Sequence, residues 1–255
     1  MKTKTKALAL ALCAIMLVVA SVLGTLAYLT DKTEVVENTF TVGKVHIYLD
    51  EEDTDDSETY NGLDESDILD EERDFANKYH LLPGQTYVKD PKVTVLEDSE
   101  ESYVRMIVTV KNVDELKLAL PQDSNPDYYA DGKFLIQYLV TGWDDSVWQS
   151  TKTITETTEK DQSVTATYEF RYVGTANKGT KDGTVAKVTA NTPLAPLFEE
   201  IVVPGNLDND AIAHLANVVI NVEAHAIQAT GFEADSTRNM TAVDVAWEAF
   251  DNQMN

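Results

Sequence analysis

The chain has 255 residues, with 44 acidic side chains against 20 basic ones and a net charge of −24. Such a charge opposes nucleic-acid binding, and it repels anionic lipid or acidic wall polymers unless divalent cations bridge them. The length suits one large domain or two small ones and suffices for a substantial core without covalent staples.

A basic tip (Lys2, Lys4, Lys6) opens the chain, and only Ser21 interrupts the apolar run that follows over residues 7–23. Small residues come next at Thr25 and Ala27. A charged tip, an apolar stretch and small residues at a cleavage position predict an export signal over residues 1–27, cut between Ala27 and Tyr28. The run also sits at the lower limit of a membrane span, so an uncleaved N-terminal anchor is the alternative. Cys13, the one cysteine, lies inside the run. Cleavage would remove it, which excludes disulfides, thiol catalysis and cysteine-ligated metals from the mature chain.

Residues 39–48 read as the first mature strand. Phe40 and Val42 share one face, Val45 and Ile47 the other, and the switch at Gly43 predicts a bulge. Residues 50–74 hold 14 acids and one base, Arg73. The early part has no apolar residue and predicts an exposed or disordered loop. Further on, Ile68, Leu69, Phe75, Ala76 and Tyr79 are spaced for a weakly amphipathic helix. Pro83 and Gly84 mark a turn into a strand, and residues 92–96 form another. Alternation is clear over residues 102–111, with Val104, Met106, Val108 and Val110 on one face and Arg105 and Thr109 on the other. Residues 134–140 and 146–155 are further strands. Over residues 163–173, Val164, Ala166, Tyr168, Phe170 and Tyr172 point inward. A turn at residues 181–184 leads into a strand at 185–190, and residues 201–203 add another. A helical turn at 208–215 precedes a long strand at 216–229. At the end, Val243, Ala246, Trp247 and Phe250 lie at helical spacing, with Thr241 as N-cap and Asp244 three residues on.

Many strands without intervening long helices make the chain mainly β. We expect residues 28–255 to form a single antiparallel β-sandwich, a jelly roll with short helices and one core, behind an N-terminal signal helix.

No catalytic motif stands out. His46, His80, His214 and His225 are scattered, none in an H-E-x-x-H pair, and each reads as an ordinary surface or half-buried histidine. There is no G-x-S-x-G elbow. Residues 174–181 imitate a phosphate loop, but Thr180 precedes Lys181 and no helix follows. Asp50, Glu51, Asp53, Asp55 and Asp56 are candidates for weak calcium binding. A solvated acidic loop is the plainer reading, because a charge run alone defines no coordination cage. Trp143 and Trp148, flanking Asp144 and Asp145, are candidates for a sugar platform, whereas Trp247 reads as core. No other cofactor is indicated.

The run Gly24 to Asp31, followed by Asn38 to Val45, resembles the start of proteins exported through a SipW-type signal peptidase in Gram-positive bacteria, the TasA/camelysin (CalY) family. The Pro-Gly turn at residues 82–91, the late strand at 221–229 and the closing helix around Ala246 and Trp247 are similar to the same group. The resemblance is thus carried by the two ends and one internal turn. It implies a jelly-roll fold, processing by that peptidase, and a place in the extracellular matrix or at the cell surface, with membrane contact only before cleavage. TasA-type members are structural proteins of the biofilm matrix. They self-associate into fibres in which the mature N-terminal segment of one subunit adds as a strand to the next. Here that segment would be residues 28–48, with Phe40, Val42, Val45 and Ile47 as anchors. Camelysin-type members are classed as surface metalloendopeptidases, but this sequence carries no recognisable zinc motif.

Overall fold

In β5 (Ser102–Lys111) the sequence pattern turns directly into structure: Val104, Met106, Val108 and Val110 are all fully buried. Period-two alternation puts these β-branched and long side chains on one side of the pleat, where they pack against the next layer. A computed structural model describes residues 44–52, 73–74, 81–174 and 185–254. By contacts the chain divides into Met1–Val42 and Gly43–Asn255, and the described residues all belong to the second unit.

The described residues are mainly β, in antiparallel sheets, with three short α-helices. β5 lies at the centre of a four-stranded sheet. It is flanked by β13 (Val219–Gln228) and β10 (Val164–Tyr172), and β9 (Trp148–Thr158) pairs with the far side of β10. A second four-stranded sheet runs in the order β11 (Thr192–Pro193), β4 (Lys92–Val95), β1 (Ile47–Glu52), β2 (Arg73–Asp74). A third sheet joins β3 (Thr86–Val88), β12 (Glu200–Val202) and β8 (Val140–Thr141), and β6 (Tyr129–Ala130) pairs with β7 (Lys133–Phe134). The helices are α1 (Val113–Ala119), α2 (Asn209–Leu215) and α3 (Ala242–Met254). Val93 and Val95 of β4 share one core with the inward residues of β5 and β10.

Several expectations meet their structure directly. Gly84 sits at φ +73°, a conformation that disfavours a side chain, and its N–H donates to Val203 O at 2.9 Å, so the Pro-Gly turn closes against β12. Asp208 caps α2 by accepting from Ala211 N at 2.9 Å. Thr241 and Asp244 cap α3 reciprocally: Asp244 N donates to Thr241 Oγ1 at 3.2 Å, and Thr241 N donates to Asp244 Oδ2 at 3.0 Å.

Other expectations need correction. Among the described residues the first strand is Ile47–Glu52, which runs on through Asp50, Glu51 and Glu52 into the acidic run, where composition predicts a loop. These acids tolerate a strand because they have partners. Glu51 takes the ammonium of Lys89 at 2.6 Å, and Glu52 N donates to Asp90 Oδ1 at 2.6 Å. Arg73 and Asp74 pair with the end of β1, which overturns a helix through residues 68–79 at those two positions. Residues 134–140 form no continuous strand. β7 ends at Phe134, a 3-10 turn spans Ile136–Tyr138, and β8 begins at Val140. The buried residues there, Phe134, Ile136 and Leu139, break the two-residue period. Residues 185–190 form no strand: Val188 bridges to Ser102, and Ala186 N donates to Tyr172 O at 3.0 Å. A second small core also exists, with Tyr103, Ala229, Ala246 and Trp247 buried together under α3 on the opposite face of β5 and β13. The bulge at Gly43, most of the acidic run, His80 and the turn at 181–184 lie outside the described residues.

Candidate functional site

Where the start of β13 meets the two short helices, apolar residues from distant parts of the chain line a cleft of about 530 Å³. α1 contributes Leu116, with Leu120 just beyond it, and α2 contributes Ile212 and Leu215. Ile201 and Val203 come from β12 and its exit, and Val218 and Ile220 from the entry of β13. Each arises from a local rule. Val113, Leu116 and Leu120 recur at three- and four-residue spacing, so α1 turns one face to the core. Val218 and Ile220 belong to the inward face of β13 and pack on the main core only in part. Lys89 is the one charged residue in the lining, and its ammonium is engaged by Glu51.

The helices bounding the cleft are tied together by polar contacts. His214 Nδ1 of α2 lies 2.6 Å from Glu115 Oε2 of α1, and Asn112 Nδ2 donates to Asn217 O at 2.7 Å. The hydrogen bond to Glu115 raises the His214 pKa above the usual histidine value, against a smaller opposing effect of desolvation.

Beside the cleft runs the outer edge of β13. It is ten residues long, and no strand pairs with it among the described residues. Unpaired main-chain groups along such an edge template further pairing. β9, at the opposite edge of the sheet, is managed differently. Its ladder with β10 is irregular between Tyr168 and Phe170, and Ile154 O already accepts from Lys133 Nζ at 2.6 Å. Bulges and lysines are the usual means of protecting an edge. β13 has its backbone register intact against β5 along all ten residues. Chemically, the combination offers main-chain hydrogen bonds to an extended peptide and an apolar recess for its side chains.

The residues singled out from the sequence are distributed unevenly over this geometry. Ala27, Tyr28, Phe40, Val42, Asp53, Asp55 and Asp56 lie outside the described residues. Val45 is half-buried just before β1, and Ile47 pairs with Val95 of β4 within its own chain. Asp50 and Glu51 are consecutive in β1 and both buried, so they project to opposite sides of one strand and do not chelate one ion together. Among the described residues no group of three or more His, Cys, Asp or Glu side chains is placed to hold a metal ion. Trp148 is fully buried and donates Nε1–H to Ala195 O at 2.9 Å, so Trp143 and Trp148 form no exposed platform. His46 is exposed beside Ser99, and His225 lies under α3, far along β13 from the cleft. The cleft itself has no sequence signature, since it needs four elements whose proximity is tertiary. No protein-family model matches the chain, and no curated protein or solved structure is significantly similar to it.

Proposed function

We propose that this chain is an exported structural protein of the cell surface or extracellular matrix, folded as a jelly-roll β-sandwich, that assembles by receiving the N-terminal segment of a second copy as an added strand. The observation that carries this reading is the open, regular ten-residue edge of β13 beside an apolar cleft. Magnitudes favour strand addition over side-chain docking alone. Burying Phe40 and Val42 gains roughly 3–6 kcal/mol together, which reaches only the low end of the roughly 4–15 kcal/mol of lost translational and rotational freedom. A ladder of about five main-chain hydrogen bonds, each worth about 0.5–1.5 kcal/mol net, is needed to tip the balance.

The pairing of Ile47 with Val95 narrows the donor. Ile47 is committed to its own subunit, so the donated arm in this reading is residues 28–43, with Phe40 and Val42 as its anchors. Export and removal of residues 1–27 would free that arm. The test is deletion of residues 28–42 from the processed protein, followed by electron microscopy. Loss of fibres with an unchanged β-rich circular dichroism spectrum is the expected outcome. Fibres indistinguishable from those of the intact protein would reject the reading.

A further inference from the structure

On the face of the sheet opposite the main core, α3 covers β5 and β13 through one layer of contacts. Trp247 and Ala246 bury themselves against Tyr103 and Ala229, with Ile227, Val243 and Phe250 around them. Arg105 rises from the middle of β5 into this layer and is 5% exposed. Its guanidinium lies 4.4 Å from the Trp247 ring centroid and 5.3 Å from that of Phe250. It also engages the Asp251 carboxylate of α3 with both terminal nitrogens. The neighbouring strand supplies His225. Its ring stacks on Phe250 at 4.8 Å and 30°, and its Nδ1 accepts a hydrogen bond from Arg105 Nε at 3.3 Å. That bond exists only while Nδ1 carries no proton.

We propose that α3 is an acid-sensitive latch over the outer face of this sheet, with His225 as its sensor. Protonation at Nδ1 turns an acceptor into a donor that faces another donor, and it sets a cation against the Arg105 guanidinium beneath the Phe250 ring. Charged groups approach this centre from every packed element. β5 brings Arg105, β10 brings Glu169 and Arg171, β13 brings Glu223, and α3 brings Asp244 and Asp251. Burial lowers the His225 pKa, Arg105 lowers it further, and Glu223 and Asp251 oppose them without prevailing. A lowered value means that the docked state binds fewer protons than the undocked one. Docking strength is therefore full above the ordinary histidine value of 6.5 and declines as pH falls through the lowered one. The small core under α3 is separate from the main core, so α3 can open while the strands stay paired.

Hydrogen exchange of the whole chain, corrected for intrinsic rates, tests this between about pH 7.5 and about pH 5, the range in which a histidine changes charge. The α3 amides should lose protection by up to tenfold per pH unit, the limit for one proton, while the β5 and β10 amides keep theirs. His225→Gln, which retains a neutral acceptor, should hold α3 protected at the lower pH. Equal α3 protection at both pH values in the unaltered chain, or the same loss in His225→Gln, overturns the proposal. If α3 is already undocked in His225→Gln at the higher pH, Glu223→Gln decides. Removing that carboxylate should move the transition to lower pH, and an unmoved transition overturns the proposal.

Discussion

Arg105 shows how a single residue can carry opposite meanings in sequence and structure. In the alternating run of β5 it occupies an outward position, where a solvated cation is ordinary, yet it is almost wholly buried. What changes its surroundings is α3, which arrives from the far end of the chain and brings Trp247 and Asp251 with it. A charge inside protein is tolerated only when it is paired, and truncating one member leaves the others uncompensated. Asp251 keeps about half of its side chain in water, so its loss of a partner is softened. Arg105→Ala should therefore cost about 2–3 kcal/mol, below the roughly 3–5 kcal/mol of a fully buried pair. Urea denaturation followed by tryptophan fluorescence measures it. A change under about 0.5 kcal/mol, the range of ordinary surface substitutions, would mean that the cluster is not coupled to stability.

At the scale of elements, the legible parts are those governed by local rules. The alternation of β5 and β10 and the reciprocal cap of α3 can be read from the sequence because their determinants lie within a few residues. Thr241→Ala should cost about 1 kcal/mol, the usual value of an N-cap hydroxyl, and should fray α3 first, visible as faster exchange of its first-turn amides. An unchanged exchange profile would show that packing of Trp247 alone holds the helix start. The illegible parts depend on partners. β1 crosses an acidic stretch because Lys89 and the β4 backbone meet it there. α1 is seven residues long and too short to announce itself by periodicity. The cleft depends on Leu116, Ile201, Ile212 and Ile220, each unremarkable alone. The burial of Trp148 is equally unreadable, since it comes from β10, with Tyr172 5.0 Å away, and from Ala195 O.

At the scale of the whole molecule, a chain with a net charge of −24 must overcome self-repulsion to assemble. Physiological ionic strength screens such repulsion beyond about 8 Å, so contacts made through main-chain hydrogen bonds and apolar anchors remain available. The two devices sit on different parts of β13. The open edge and cleft lie near Val218 and Ile220, and the His225 layer lies further along the strand and on its other face. The chain's one cysteine is Cys13, inside the stretch expected to be removed on export. Introduced cysteines would therefore report without background in the processed protein. The central claim is that the N-terminal arm of one copy lies along β13 of another. Cysteines placed at Phe40 or Val42 in one preparation, and at Ile220 or Val222 in a second, should form arm-to-edge disulfides only when the two are mixed and allowed to assemble under mild oxidation. Fibres that form from the mixture without any such cross-link would contradict it.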